Sequence, residues 1–172
     1  LRSIGFPILQ VVRRFRTDGY PMFAPRDPNN PGTQYPLTTA NITFMTPLEE
    51  NIVIVAGTTP QPFVSLLREG DAIEAMANES LASEFGVQVG DIYTLRTEKG
   101  ALPITIVGLW RPVDPTAPYW DIKKENWIFV HEETYKSIIS DTVSDELRSA
   151  TWSIVADGSS LHANAVQGLK DR

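Results

Sequence analysis

The sequence contains no cysteine and only two histidines among its 172 residues. The missing cysteines exclude disulfide bonds and thiolate metal sites, although they do not fix the cellular compartment. His131 and His162 form no H-x-H or H-x-x-x-H pattern with each other, so the usual spacing of histidine metal ligands is missing too. We therefore expect no metal and no cofactor, and we expect both histidines to have surface or helix-capping roles.

A basic excess is also missing. The chain has 15 Lys and Arg residues against 21 Asp and Glu residues, which gives a formal net charge of -6. A domain that binds nucleic acid normally presents a basic face, and the cluster of Arg13, Arg14 and Arg16 is too small to provide one. We expect no nucleic-acid partner.

Long apolar runs are absent as well, since no stretch approaches the roughly 20 residues that a membrane-spanning helix needs. The apolar opening, residues 1–12, is interrupted by Arg2, Gly5 and Pro7 and lacks the basic start and cleavage site of a signal peptide. The chain starts without methionine and ends within a helical pattern. These features predict a single domain over residues 1–172, or two small subdomains, truncated at both ends.

The sequence does contain many short β-rich runs, separated by turns and a few short helices. Strands are predicted at residues 8–16, 41–45, 51–57, 72–77, 91–97, 103–110, 126–130 and 149–157. The run at 51–57 has the composition of a buried strand, and the two runs around Gly100 predict a hairpin with a longer loop. This order predicts an α+β fold with a mixed β-sheet core and long proline-rich loops at residues 21–36 and 112–118.

Helices are predicted from their caps. In the segment NESLASEFGVQVGDIYTL, residues 78–95, Asn78 can cap a short helix, Gly86 can end it, and Gly90 can form the turn before the next strand. A second helix is predicted at residues 131–139, and a third is predicted to begin after Ser159 or Ser160. Residues 63–70 remain open between a helical turn and a loop.

Groups suited to catalysis are difficult to find in this sequence. Ser160 and His162 lie close together, but no G-x-S-x-G elbow surrounds them and no orienting acid is evident. Residues 49–50 and 132–133 are adjacent glutamates, whose side chains point apart on a helix or strand, so we interpret them as solvated. The acids between residues 114 and 121 are too sparse for a calcium loop. We expect no enzyme activity; hydrolysis by Ser160 with His162, or by a carboxylate pair, is the rival hypothesis.

The densest aromatic segment is GLWRPVDPTAPYWDIKKENW, residues 108–127. Trp, Tyr and Arg are enriched at binding hot spots, so this segment is the candidate surface for a partner or ligand. Aromatic rings also anchor long loops to a sheet without any ligand, which is the simpler explanation. The candidate binding residues are Trp110, Arg111, Asp114, Tyr119 and Trp120.

Residues 50–170 resemble the extracytoplasmic core domain of MacB/FtsX-type ABC transporter permeases. The resemblance lies in the order and spacing of the phrases IVIVAGTTP, ESLASEFG, VGD, ITIVGLW and WIFVHEETYKSI. Residues 1–45 match only loosely, and the proline-rich and tryptophan-rich loops have no counterpart in the family pattern.

The resemblance implies a MacB-like periplasmic core domain, placed outside the cytoplasmic membrane between the first two membrane helices of a permease. Such a domain is not an enzyme and would couple ATP-driven membrane motion to the export or extraction of cargo, or to partner proteins. The implied partners are the membrane-embedded remainder of the permease, a cytoplasmic ATPase, an extracytoplasmic protein or cargo, and a second copy in a dimer. The resemblance does not identify the cargo. The alternative is a free-standing carbohydrate- or peptide-binding module that uses the aromatic segment Trp110–Trp127.

Overall fold

The computed structural model describes residues 7–25, 34–63, 68, 70–120, 126–138, 149–157 and 159. Within these ranges the chain forms eight strands, two α-helices and one 3-10 helix. The strands are β1 (Ile8–Phe23), β2 (Thr38–Thr46), β3 (Ile52–Gly57), β4 (Ile73–Asn78), β5 (Ile92–Thr97), β6 (Gly100–Pro112), β7 (Trp127–Phe129) and β8 (Ser149–Ala156). The helices are α1 (Glu79–Phe85) and α2 (Glu132–Ile138), and the 3-10 helix is Pro118–Trp120. These elements confirm the predicted α+β fold.

The strands form one mixed sheet, and six of the eight described strands close into a ring. Around the ring, β1 pairs with β2, β2 with β7, β7 with β4, β4 with β6, β6 with β5, and β5 with β1. The β2–β7 and β4–β6 pairs are parallel, and the other four are antiparallel. Among the described strands, β3 pairs only with β6, and β8 pairs only with β1.

Two apolar clusters hold this sheet together. Alternate residues of the ring strands, joined by Leu81 of α1 and by Tyr135 and Ile138 of α2, form the larger cluster. A smaller set, which we call the aromatic cluster, lies mainly on the opposite face of the same strands. It comprises Val12, Met45, Ile52, Met76, Trp110, Tyr119, Trp120, Trp127 and Phe129. The ring therefore carries apolar side chains on both faces, as expected of a sheet covered on both sides.

The caps of α1 agree with the sequence prediction. The side chain of Asn78 accepts a hydrogen bond from the Ser80 amide at 2.8 Å, and Gly86 ends the helix in the left-handed conformation with φ of 69°. Gly90 also has a positive φ of 96° and donates its amide hydrogen bond to Ile106, at the turn that precedes β5. The second predicted helix is confirmed as α2, while the third falls in residues 160–172, outside the described residues.

Three predictions about strands need correction. β1 continues through Phe23 into the predicted loop at 21–36. Pro21 is tolerated there because the pairing of β1 with β5 begins only at Met22. β3 is an edge strand rather than a buried one, and only its first residue, Ile52, is buried. The prediction was wrong because a β-branched run does not by itself distinguish a buried strand from an edge strand. The β5–β6 hairpin has a short loop of two residues, since Thr97 pairs directly with Gly100.

Much of the segment 63–70 lies outside the described residues. Among the residues that the structure describes, no helix combines the length and the apolar character that crossing a bilayer requires.

Candidate functional site

The structure buries the three aromatic residues of the predicted binding surface. Trp110, Tyr119 and Trp120 are 0%, 3% and 6% exposed. The ring of Trp120 stacks on Trp110 with centroids 5.6 Å apart, and the ring of Tyr119 meets Trp120 edge-on at 4.7 Å. Because these rings pack against one another and against the sheet, their geometry favours the anchoring role over an open recognition surface.

The two polar candidates lie at the surface. Arg111 is an exposed residue of β6 opposite Val53 of β3. Asp114 is exposed, and its carboxylate accepts hydrogen bonds from the amide and hydroxyl of Thr116 at 2.8 and 2.7 Å. This is the local bonding of an Asx turn, which shapes the loop after β6. The structure therefore separates the two polar residues from the buried rings, and a binding role for this set stays a prediction.

A groove of about 490 Å³ opens between α2 and the loop that follows β2. Its apolar lining comes from both clusters, with Phe44 and Val130 from the larger one and Met45, Ile52 and Met76 from the aromatic cluster. The groove thus lies where the two clusters meet. Its volume is in the range of sites that hold small ligands or peptide side chains.

Four glutamates also line this groove, and we call it the acidic groove for that reason. They are Glu49 and Glu50 in the loop after β2, and Glu132 and Glu133 in the first turn of α2. The cause of their proximity is the parallel pairing of β2 with β7, which brings the segments that follow both strands to the same edge of the sheet. The sequence prediction treated each pair as solvated and missed their convergence, since nothing local in the sequence reports which strands are neighbours.

Glu132 is held in its ionised form. Its carboxylate accepts a hydrogen bond from the Lys136 ammonium at 2.6 Å, and Arg13 lies at 4.0 Å. The hydrogen bond from Lys136 is the main cause that holds the pKa of Glu132 below its usual range. Burial opposes it, and the positive charges of Lys136 and Arg13 add smaller lowering effects. A carboxyl group with a lowered pKa is a poor proton donor near neutral pH, so this residue is unsuited to general acid catalysis.

His131 caps α2. Its ring Nδ1 accepts a hydrogen bond from the Glu133 amide at 3.2 Å, and its carbonyl accepts the Tyr135 amide at 2.9 Å. These contacts confirm the predicted capping role of His131, whereas Ser160 and His162 lie outside the described residues. In the described part of the chain, no group of three or more His, Cys, Asp and Glu side chains is arranged to hold a metal ion.

The loop wall of the acidic groove is anchored to the aromatic cluster. The Tyr119 hydroxyl donates a hydrogen bond to the carbonyl of Pro47, and Asn51 donates its side-chain amide to the same carbonyl at 3.1 Å. Burial raises the pKa of Tyr119 well above its usual range, although the charge of Arg14 acts in the opposite direction. Tyr119 therefore remains a neutral donor at physiological pH, and one of the predicted site residues acts here by holding the rim of the groove.

No protein-family model matches the chain, and no curated protein sequence matches it. A crystal structure of a domain from a provisionally assigned permease of Porphyromonas gingivalis is similar in fold, with a TM-score of 0.50 and 13% sequence identity. The alignment covers 97% of this chain and 70% of that chain. At this level of identity the similarity shows the fold alone. The chain thus has the fold of a domain that occurs in a provisionally assigned permease.

Proposed function

We propose that this chain is the extracytoplasmic domain of an ABC transporter permease of the MacB/FtsX type and that it catalyses no reaction. The observation that carries the proposal is the similarity of fold to the Porphyromonas gingivalis permease domain over 97% of the chain. The ordered phrases between residues 50 and 170 support the finer assignment to the MacB/FtsX type.

The two ends of the described fold lie side by side, which supports this placement. The Asp157 amide donates a hydrogen bond to the carbonyl of Pro7 at 2.8 Å, and Ile8 is paired with Ala156. A domain inserted between two membrane helices must receive and return the chain at neighbouring points. The pairing of β1 with β8 provides that geometry.

The sheet also suits a mechanical role. β1 has 16 residues, a length of about 50 Å at 3.3 Å per residue. It runs from the paired ends of the fold to the closing contact of the ring, with hydrogen bonds to β8, β2 and β5 along the way. We propose that membrane motion, driven by a cytoplasmic ATPase, enters at these ends and reaches cargo or an extracytoplasmic partner through the ring. A second copy of the domain would accompany it in the dimeric transporter.

The absence of catalysis is part of the same proposal. Two groups of the acidic groove support it: His131 Nδ1 accepts the Glu133 amide, and the carboxylate of Glu132 is engaged by Lys136. The lowered pKa of Glu132 makes this carboxyl group a poor proton donor.

A free-standing carbohydrate- or peptide-binding module remains the second candidate, and the presence of the acidic groove is the observation in its favour. The aromatic segment gives it less support, since the rings of Trp110 and Trp120 are buried rather than offered to a ligand.

The full-length product of the gene tests the choice between the two. If the chain is an inserted permease domain, apolar segments of about 20 residues must flank it on both sides. A full-length product without such segments would overturn the permease proposal and leave the binding module.

A further inference from the structure

We propose that the acidic groove binds a basic segment of a partner polypeptide, in which a Lys or Arg side chain stands next to an apolar one. The inference deepens the proposed function by naming the surface where an extracytoplasmic partner would dock, and it rests on that function only for the location of the partner.

The apolar lining is the first part of the argument. Met45, Ile52 and Met76 are buried members of the aromatic cluster, and each also borders the groove. An apolar side chain that enters the groove would contact these residues and leave water, which favours binding in proportion to the area covered. The wall beside them is already fixed by the hydrogen bonds of Tyr119 and Asn51 to Pro47, so less conformational entropy is lost on binding.

The charge of the rim is the second part. Within the described ranges, Glu132 forms ion pairs, whereas no cation pairs with Glu49, Glu50 or Glu133. Three carboxylates therefore remain around the opening of an apolar groove, with Lys136 already engaged by Glu132. This arrangement complements a ligand that is cationic at its edge and apolar at its centre.

The neighbouring strand edge points to a polypeptide rather than a free amine. β3 begins at Ile52, which borders the groove, and its outer edge is unpaired among the described strands. Val53, Ile54 and Val55 along this edge are all about 40% exposed. An extended segment can add to such an edge through main-chain hydrogen bonds, and its side chains can then fill an adjacent pocket.

Three labelled nine-residue peptides test the proposal by fluorescence anisotropy with the full 172-residue chain. The first alternates Lys and Leu, the second alternates Lys and Ser, and the third alternates Glu and Leu. We expect saturable binding of the Lys-Leu peptide that weakens with salt, at least tenfold weaker binding of the Lys-Ser peptide, and no binding of the Glu-Leu peptide. Equal binding of the Lys-Leu and Glu-Leu peptides would overturn the proposal, and so would a lack of saturable Lys-Leu binding.

Matched variants locate the binding site. Glu50→Gln and Glu133→Gln each remove one rim carboxylate, and each should weaken binding of the Lys-Leu peptide by about two- to fivefold, the range for exposed ion pairs. Glu84→Gln makes the same charge change on the exposed side of α1 and should leave the affinity unchanged. All three residues are exposed, so far-UV circular dichroism should show an intact fold. If Glu84→Gln weakened binding of the Lys-Leu peptide equally, the peptide would be attracted by the overall charge of the chain, and the proposed binding site would be wrong.

The peptide experiment and the test of the permease proposal can fail independently of each other. Failure of the peptide test leaves the flanking-segment test untouched, and a full-length product without membrane segments leaves the measured affinities untouched.

Discussion

Replacement of Trp120 by alanine decides whether the aromatic segment is core or recognition surface. The indole ring is 6% exposed and stacks on Trp110 at 5.6 Å with an angle of 14° between the rings. It also lies 6.3 Å from the ring of Trp127. Trp110 and Trp127 belong to strands β6 and β7 of the closed ring, whose backbone is fixed by ladder hydrogen bonds. The cavity left by Trp120→Ala would therefore be bordered by two strands that cannot relax easily.

The magnitude follows from this packing. Replacement of a buried Trp or Phe by Ala costs about 3–5 kcal/mol, and the cost is greatest where the surroundings cannot relax. For a chain of 172 residues, each kcal/mol lowers Tm by about 2–4 °C, so we expect a decrease of roughly 6–20 °C. A recognition residue at the surface would instead change the free energy of unfolding by only about 0.5 kcal/mol.

Guanidinium unfolding monitored by circular dichroism measures the loss in the free energy of unfolding, and Trp152→Ala is the matched control. Trp152 is 59% exposed on β8, and its ring meets only the edge of Phe15 among the described aromatic contacts. The control should lose about 1 kcal/mol or less. If Trp120→Ala were no more destabilising than Trp152→Ala, the packing described for the aromatic cluster would be refuted.

Three other changes test separate parts of the fold. Gly57→Ala should destabilise far more than Gly86→Ala in the same unfolding assay. Both glycines have positive φ, 74° and 69°, but an added Cβ at position 57 would lie 2.0 Å from a backbone carbonyl of β6, whereas position 86 is open; equal losses would contradict the contact. Asn78→Ala should cost about 1 kcal/mol because it removes the side-chain cap of α1, and Asn78→Asp should recover most of this; an unchanged unfolding midpoint in the alanine variant would count against the cap. Burial raises the pKa of Tyr119 and of Tyr135, so their contribution to stability is complete below about pH 10 and is lost as pH rises further. Phenolate absorbance should show these two residues ionising only as the chain unfolds, and their ionisation in the folded chain near pH 10 would contradict the assignment.

Local features of the fold could be predicted from the sequence because their causes are local. Asn78 and Gly86 act within one helical turn. The alternation in residues 41–45 locates a strand but predicts one buried on a single face, whereas residues 40–45 are buried on both. The same local rules fail where a neighbouring strand determines the environment of a residue. Residues 51–57 form an edge strand since β6 is their one partner among the described strands, and Pro21 lies within β1 because the β5 pairing starts one residue later.

The acidic groove could not be predicted for a related reason. Glu49–Glu50 and Glu132–Glu133 are far apart in the chain, and they line one groove because β2 and β7 form a parallel pair in which Asn41 lies opposite Trp127. Hydrophobic patterns identify strands but carry no information on which strands become neighbours. The anchoring role of the aromatic segment could be predicted from the sequence, since rings that anchor a long loop need no partner to explain them.

The most direct test of the proposed function is the side of the membrane on which the domain lies. The chain has no cysteine of its own, and Val113 is 58% exposed in the loop after β6. In the full-length product, expressed in intact spheroplasts, a membrane-impermeant maleimide should label Val113→Cys above the level of the parent protein. Ile104→Cys, at a buried position that does not line the acidic groove, should remain unlabelled until the protein is denatured. Labelling of Val113→Cys only after the membrane is permeabilised would place the domain in the cytoplasm and contradict the proposed function.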